Sequence, residues 1–311
     1  MKFYLAPLEG VTGYIFRNAL KEYFPGTDRY FTPFIVPDQR HALRKRELRD
    51  ILPENNQVKE LVPQILTSDP VRFVETAKAL AEYGYEEVNL NLGCPSGTVF
   101  SKGKGSGMLR DPDALDRFLE QIYASAPLPI SLKTRLGVEQ PEEFEKLLEI
   151  YNRYPVSLLI LHPRVRSAFY NGPVHLEMVQ MALEQSKNPL CYNGNLNSVS
   201  EIQAFSKAFP SIEKVMLGRG LIGDPGMLAP EGTTAAALEG FYDALLERYM
   251  ELFGGSRNAM FRLKENWRYL LCRFDGAEKL GKRLKKATDL SDYRAITQEI
   301  IHTCPLRPGL T

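Results

Sequence analysis

Residues that could do chemistry follow short apolar segments, most clearly in residues 89–96, Asn-Leu-Asn-Leu-Gly-Cys-Pro-Ser. Polar and apolar residues alternate there, as in a strand, until Gly93 and Pro95 break the pattern. Cys94 is therefore expected on the loop after the strand. A lone cysteine is most often buried as a small hydrophobe, but its glycine and proline neighbours favour an exposed, fixed thiol that could donate a proton.

Two cations lie in the otherwise apolar residues 128–135, where Lys133 and Arg135 are two positions apart and so share one face of a strand. Burying a cation without a partner is costly. One interpretation is a salt bridge with a carboxylate such as Glu9. The other is a cation that faces an anionic ring, for example that of a reduced flavin. The residues alone leave both open.

A third group follows another apolar segment, where His162 is succeeded by Arg164 and Arg166. A single histidine after an apolar strand is commonly a hydrogen-bonded core residue. Two arginines so close to it favour an anionic ligand instead, and they could also contact RNA phosphates.

The elements that must position these residues form a repeating βα pattern. Thr12, Asp69, Asp111 and Ser198 are the predicted helix N-caps. The eight predicted strands are residues 3–6, 29–32, 61–65, 86–90, 129–134, 157–161, 189–192 and 214–217. Eight βα units within about 230 residues is the size of a (β/α)8 TIM barrel, whose active site lies at the carboxyl ends of the strands.

Two glycine-containing segments, residues 193–195 and 218–220, follow the last two predicted strands, where such barrels commonly bind phosphate. Either segment alone is only a weak indication of phosphate binding, because turns often contain glycine. Together the two segments predict a phosphorylated ligand. Residues 101–109 add small residues with Lys102 and Lys104, which could form a mobile lid. Their glycines do not match the Walker phosphate loop, which argues against an ATPase.

After residue 234 the strand signal stops and helical patterns continue almost to the C-terminus. The predicted division is a catalytic barrel over residues 1–230 and a small all-helical domain over residues 235–311. Residues 257–294 contain eleven Lys or Arg and five Asp or Glu, whereas the whole chain has a formal net charge of only +1. Charge segregation of this kind predicts a polyanion-binding surface, although a solvated face would look similar.

Composition excludes several classes of protein. Hydrophobic residues make up 44% of the chain, as in soluble globular proteins, and no apolar run approaches the roughly 20 residues of a membrane span. The four cysteines are far apart, which predicts neither a disulfide framework nor a metal site. We therefore expect a cytoplasmic protein without a membrane or stable protein partner.

The chain resembles the tRNA-dihydrouridine synthase family across the predicted barrel. The matching segments are residues 6–12, 62–65, 89–96, 104–112, 132–135, 162–164, 193–195 and 218–221. The resemblance implies NADPH as reductant, tRNA as substrate and Cys94 as the catalytic acid. It also implies that FMN is held by Pro7, Leu8, Glu9, Gln64, Lys133, His162, Asn193, Gly194, Asn195, Gly218 and Arg219.

The expected substrate contacts combine the family chemistry with the cations found above. Asn91 is expected to orient the uracil, and the expected RNA contacts are Lys102, Lys104, Arg135, Arg164 and Arg166. The chain departs from the family where Pro163 and Val165 replace Gly and Thr, where Asn195 replaces an acidic residue and where Leu8 replaces Met.

Two other functions remain possible on sequence grounds. One is an FMN-dependent dehydrogenase of the dihydroorotate or dihydropyrimidine type, which acts on a free small molecule and needs no basic C-terminal domain. The other is a non-catalytic RNA-binding protein that has kept the barrel, against which Cys94 and Lys133 argue.

Overall fold

A computed structural model describes residues 1–38 and 40–307 of the chain. Its strands, numbered in chain order, are β1 (Lys2–Leu5), β2 (Arg29–Phe31), β3 (Leu61–Val62), β4 (Gln64–Ile65), β5 (Val88–Leu92), β6 (Ile130–Arg135), β7 (Leu159–His162), β8 (Leu190–Tyr192) and β9 (Lys214–Leu217). All observed pairings between them are parallel. Parallel pairing fits their β-branched and apolar composition, because both faces of such a sheet are covered.

The strands form one sheet in the order β3-β2-β1-β9-β8-β7-β6-β5-β4. Its two end strands, β3 and β4, are consecutive in the chain and are separated only by Pro63. A parallel bridge pairs Ile35, which follows β2, with Ile65 of β4 and so connects the two sides of the sheet. The sheet therefore closes into a TIM-like barrel with eight strand positions, as the sequence predicts.

Pro63 explains why eight predicted strands become nine observed ones. Proline has no N–H to donate to the ladder, so the third predicted strand is divided at that residue. The backbone on either side still pairs, since Thr32 N donates to Val62 O at 3.1 Å and Ile35 N donates to Gln64 O at 2.7 Å.

Thirteen α-helices are present in the described part of the chain. They are α1 (Tyr14–Tyr23), α2 (Lys45–Ile51), α3 (Pro70–Glu82), α4 (Gly97–Ser101), α5 (Pro112–Ser125), α6 (Glu143–Tyr151), α7 (Leu176–Gln185), α8 (Val199–Ala208), α9 (Arg219–Gly223), α10 (Ala235–Phe253), α11 (Ser256–Leu270), α12 (Glu278–Lys286) and α13 (Leu290–Thr303). Short 3₁₀ helices cover Pro53–Asn55, Gly105–Arg110 and Leu271–Arg273. None of the described helices is long and apolar enough to cross a membrane.

Three of the four predicted N-caps are confirmed, and the fourth is wrong. The side chains of Asp69, Asp111 and Ser198 accept hydrogen bonds from the first turns of α3, α5 and α8. Gly13, not Thr12, caps α1. Thr12 instead closes the turn before that helix, where its Oγ1 accepts a hydrogen bond from Leu8 N at 2.8 Å.

The chain divides into two compact units. The first contains residues 1–7, 29–194 and 210–216, and the second contains residues 8–28, 195–209 and 217–311. The core of the first unit is the apolar interior of the sheet with the inner faces of α3, α5 and α6. The predicted division at residues 230 and 235 remains a prediction.

The second unit has an aromatic core of its own. Phe241 on α10 packs against Phe16 and Phe24, with ring centroids 5.7 and 5.4 Å apart. Trp267 on α11 is buried and donates from Nε1 to Tyr293 OH on α13 at 2.9 Å. Because three helices share this core, the predicted C-terminal helical region is confirmed.

Candidate active site

A row of hydrogen-bonded carboxamides runs across β4 and β5. Gln64 Nε2 donates to Asn89 Oδ1 at 2.8 Å, and Asn91 Nδ2 donates to Gln64 Oε1 at 2.7 Å. Asn89 continues the row to Ser131 Oγ on β6 at 2.9 Å. Asn89 and Asn91 are two residues apart on one strand, so both face the same side. The row fixes the orientation of both predicted ligand-binding amides, Gln64 and Asn91.

The backbone of Cys94 is held from both sides. Asn91 Oδ1 accepts hydrogen bonds from Gly93 N at 3.1 Å and Cys94 N at 2.9 Å. Arg135 Nε donates to Gly93 O at 2.9 Å, and Ser106 Oγ donates to Cys94 O at 2.7 Å. Three of these hydrogen bonds fix the two peptide groups that flank Cys94, and the fourth fixes the preceding peptide at Gly93 N. The residue itself is partly exposed.

The loop after Cys94 packs back onto that residue. Gly105 has a φ of +58°, and a Cβ placed on it would lie 3.0 Å from Cys94 Cβ. Residues 105–109 are buried, whereas Lys102 is exposed and Lys104 is half-buried. The part of the predicted lid next to the thiol is thus packed, and the exposed lysine lies at the end of α4.

Lys133 lies on β6 beside Asn91 in the strand register. The pKa of Lys133 is lowered to about 8, mainly by burial and secondly by the nearby Arg135 cation. The groups that act in the opposite direction are the thiols of Cys191 and Cys94, and none of these neighbours is a carboxylate. Among the described residues of the first unit, no carboxylate offsets the charge of Lys133, and the predicted salt bridge with Glu9 of the second unit remains a prediction.

His162 ends β7 and is oriented by arginine. Arg164 NH1 lies 3.0 Å from His162 Nε2, and Arg164 Nε donates to Gly172 O at 2.7 Å. A guanidinium only donates, so Nε2 accepts and the imidazole proton resides on Nδ1. His162 is thus a neutral hydrogen-bond donor through Nδ1. Tyr170 stacks on its ring, with centroids 6.4 Å apart at 29°.

Arg135 and Arg164 were predicted to contact RNA, but both are almost fully buried. Arg135 NH1 donates to Val165 O at 3.0 Å, in addition to its bond to Gly93 O. Its guanidinium also lies 5.4 Å from the ring centroid of Tyr170. In the structure Arg135 binds backbone oxygens of the site, and Arg164 binds His162 and Gly172 O. Contact of either arginine with RNA remains a prediction. Arg166, by contrast, is half-buried.

The remaining predicted site residues of the first unit lie at the end of β8. Asn193 is buried, and its Nδ2 donates to Met216 O at 2.7 Å. A Cβ at Gly194 would collide with the ring and hydroxyl of Tyr192, so glycine leaves room for that side chain. The other remaining residue, Pro7, lies two positions after the end of β1.

The second unit contains the other predicted cofactor residues. Arg219 NH2 donates to Asn195 Oδ1 at 3.2 Å, and Gly218 precedes the first turn of α9. Leu8 and Glu9 belong to the turn closed by Thr12. Arg262 on α11 donates to Gly10 O in the same turn, so a residue 252 positions later supports it.

Sequence reasoning missed three residues that shape the site. Asn89 was detectable, because it repeats the amide of Asn91 on the same face of β5. Ser106 and Tyr170 had no signal, since their contacts with Cys94 O and with the His162 ring depend on how two loops fold back. Pro163 and Val165, which depart from the family pattern, contribute carbonyl groups that accept from His175 N and Arg135 NH1.

Comparisons with known proteins identify the family of the chain. A probable tRNA-dihydrouridine synthase of Staphylococcus aureus (strain COL) is 28% identical over 312 residues, covering 96% of this chain and 92% of the relative. The tRNA-dihydrouridine synthase B of Pasteurella multocida (strain Pm70) is 27% identical over 225 residues, covering 72% and 67%.

Among solved structures, morphinone reductase in complex with tetrahydroNAD superposes with a TM-score of 0.50 at 10% identity. The match covers 77% of this chain and 87% of that one and supports the barrel fold. The sequence model of dihydrouridine synthases (Dus) matches residues 4–264. The chain therefore belongs to the dihydrouridine synthase family of oxidoreductases.

Proposed function

We propose that this chain reduces uridine in tRNA to dihydrouridine, with FMN as its cofactor, NADPH as the reductant and Cys94 as the proton donor. The observation that supports the proposal most is a partly exposed thiol fixed through both of its peptide groups, on the loop that follows β5, the strand next to the one that carries Lys133. The names of its relatives, tRNA-dihydrouridine synthases, support the choice of substrate.

The described residues of the first unit fit a flavin. Lys133 Nζ, His162 Nδ1 and the amides of Gln64 and Asn91 all present hydrogen-bond donors, whereas the pyrimidine edge of a flavin presents carbonyl oxygens and gains negative charge on reduction. FMN bound there would supply the hydride for C6 of uracil. The assignments of Leu8, Glu9, Asn195, Gly218 and Arg219 to FMN remain predictions, as does that of Asn193 and Gly194.

The proton chemistry follows from the chain's own residues. Addition of a hydride at C6 of uracil leaves negative charge at C5, because the C5=C6 bond is conjugated with a carbonyl group. A cysteine thiol is ordinarily protonated at neutral pH, so Cys94 Sγ can deliver its proton to C5. The hydrogen bonds from Arg135 and Asn91 to the Gly93–Cys94 backbone hold the sulfur in place during that transfer.

Asn91 has a second task in this proposal. Its Nδ2 gives one hydrogen to Gln64, and an amide nitrogen carries two. The other hydrogen can donate to a uracil carbonyl, which would orient the base beside Cys94. Asn91 would then couple base orientation to thiol position, since the same side chain binds Cys94 N.

The RNA must present an unstacked uridine and be held by its phosphates. Lys102 and Lys104 lie on the loop after Cys94, and five exposed cations lie on α12 in the second unit. Those five are Lys279, Lys282, Arg283, Lys285 and Lys286. We propose both groups as phosphate contacts.

The test is a reaction with purified protein, NADPH and tRNA that lacks dihydrouridine. The expected product is tRNA with two additional hydrogens per modified uridine, detected by mass spectrometry of nucleosides. Cys94→Ala is expected to retain flavin absorbance and tRNA binding but to lose most of the turnover. Equal reduction of a free pyrimidine such as orotate would support the dehydrogenase alternative instead, and a protein purified without flavin would contradict both.

A further inference from the structure

A cluster of aromatic rings and arginines lies at the surface of the first unit and includes Arg166, one of the expected RNA contacts. We name it the arginine–aromatic cluster, and its members are Phe100, Arg110, Arg166, Phe169 and Tyr170. Phe100 belongs to α4 on the loop after Cys94, and the other aromatic residues belong to the loop after β7. Phe169 and Tyr170 are 43% and 49% exposed, which is unusual for aromatic side chains.

Two guanidiniums of the cluster share one ring. The Cζ atoms of Arg166 and Arg110 lie 4.1 and 4.5 Å from the ring centroid of Phe100. Arg110 donates to the backbone oxygens of Gly107 and Phe100, and among the described residues neither arginine forms an ion pair with a carboxylate. Arg166 Nε is buried without a hydrogen-bond partner in the protein. Two cations held together without a counter-charge predict an anionic ligand.

The backbone of Phe169 is strained. Its φ is +47°, and it is the non-glycine residue with positive φ in the described chain. An aromatic residue is a genuine outlier in this region, because its Cβ crowds the backbone. Burial does not explain the conformation, since the side chain is exposed and its ring packs on the Arg166 guanidinium at 5.2 Å. Strain kept at an exposed position points to function.

The cluster is connected to the thiol loop by short contacts. The ring of Tyr170 stacks on His162 and contacts the guanidinium of Arg135. Arg135 in turn donates a hydrogen bond to Gly93 O, next to Cys94. Phe100 follows Cys94 by six residues on the same loop. A uridine placed against Cys94 would therefore have its neighbouring nucleotide within reach of the cluster.

From these contacts we infer that the cluster binds an unpaired nucleotide adjacent to the target uridine, an inference that rests on the proposed function. The base stacks on Phe169 or Tyr170, and Arg166 with Arg110 binds the phosphate between the two nucleotides. Every base has a π-face, so such a surface accepts different neighbouring bases. Its role is to hold the strand so that the uridine stays unstacked at Cys94.

The decisive variant is Phe169→Asn, because asparagine tolerates positive φ and removes the ring. We expect KM for tRNA to rise about tenfold, with kcat within twofold of wild type, since base–aromatic stacking contributes to binding of the strand. Thermal stability should stay level or increase because strain is relieved. Phe169→Tyr should have the KM of the wild type, since it keeps an aromatic ring at this position.

Tyr83→Ala is the matched control, because Tyr83 is another exposed aromatic residue of the first unit, 37% exposed at the end of α3. Its KM should equal that of wild type. Arg166→Gln gives a second measurement. The slope of log affinity against log salt should become shallower by about 1, the change expected for loss of one phosphate contact.

The inference is overturned if Phe169→Asn leaves KM unchanged, or if it lowers stability and flavin content together with affinity, as a purely structural residue would. An unchanged salt slope in Arg166→Gln would also overturn it. These outcomes are separate from failure of the proposed function, which would appear as the absence of dihydrouridine with the wild-type protein.

Discussion

At the scale of single residues, the site combines Lys133, a cation whose burial destabilises the fold, with Cys94, a thiol whose backbone is fixed by hydrogen bonds. Lys133 has a lowered pKa because burial removes water from its ammonium group, and no neighbouring carboxylate in the first unit compensates. Such an arrangement weakens the fold while it prepares the site for an anion. Functional groups often carry this kind of stability cost.

Replacing Lys133 with methionine tests that interpretation. Lys133→Met keeps the length of the side chain and removes the charge, so the flavin-free protein should become more stable, with Tm higher by roughly 2 °C. Flavin content and turnover should fall by at least about tenfold. Calorimetry of the flavin-free protein and absorbance of the purified protein measure the two effects, and lower stability in the variant would contradict the account.

The pH dependence of the same residue has a definite sign. The pKa of Lys133 is about 8 in the folded protein against an ordinary value of 10.5, so between these values the unfolded chain binds more protons. The stability gained in Lys133→Met should therefore be greatest below pH 8 and vanish by about pH 10.5. Affinity for flavin should fall in the wild type as pH rises above about 8, whereas Lys133→Arg should retain its charge through that range.

At the scale of elements, the loop from β5 to α5 determines where Cys94 lies. Its beginning is fixed by Asn91 and Arg135, and its later part returns through Gly105 to contact the cysteine. Sequence patterns predicted the strand and the exposed thiol, because alternation and the Gly93–Pro95 break are local. They did not predict the return of Ser106 to Cys94 O, which depends on the three-dimensional path of the loop.

Two glycines of this loop provide a matched comparison. Gly103 and Gly105 have similar φ values, +64° and +58°, but a Cβ meets nothing within 4 Å at Gly103 and lies 3.0 Å from Cys94 Cβ at Gly105. Both alanine variants should lose about 1 kcal/mol of stability from backbone strain. Only Gly105→Ala should also lower kcat, by about tenfold, because it displaces the thiol. Equal kcat values for the two variants would show that the contact is unimportant.

Other elements show the same limit of sequence reasoning. The barrel and its closure follow from strand count and apolar pattern, but the division at Pro63 required attention to the missing N–H group. Thr12 was interpreted as a helix cap because of its residue type, and the structure uses its hydroxyl to close the turn at Leu8. The residue type of Thr12 predicted that its hydroxyl accepts a hydrogen bond from a backbone N–H. Which N–H donates, that of Leu8, depends on the path of the neighbouring backbone.

At the scale of the whole molecule, a nearly neutral chain carries separated charges. The net charge is +1, yet α12 exposes five cations and buries little more than Leu284. Composition alone could not predict this surface, whereas the local excess over residues 257–294 did. If tRNA binds this surface as proposed, the choice of uridine depends on how the two meet, and the sequence contains no local signal for that geometry.

Removing charge from α12 should weaken tRNA binding in a salt-dependent way. Lys282 and Lys286 are four residues apart on one exposed face, so Lys282→Gln/Lys286→Gln should lower the slope of log affinity against log salt by between about 1 and 2. The control Lys78→Gln/Lys187→Gln removes two equally exposed lysines of the first unit. Filter binding across a salt series measures both, and identical slopes would argue against α12 as a phosphate contact.

The central claim is that this chain reduces uridine in tRNA through Cys94. The most direct measurement is a position-by-position map of dihydrouridine in tRNA from cells that lack the gene, complemented with either the wild type or Cys94→Ala. The account predicts that at least one position loses dihydrouridine on deletion, regains it with the wild type and stays unmodified with Cys94→Ala. A map that does not change on deletion, or full recovery with Cys94→Ala, would contradict it.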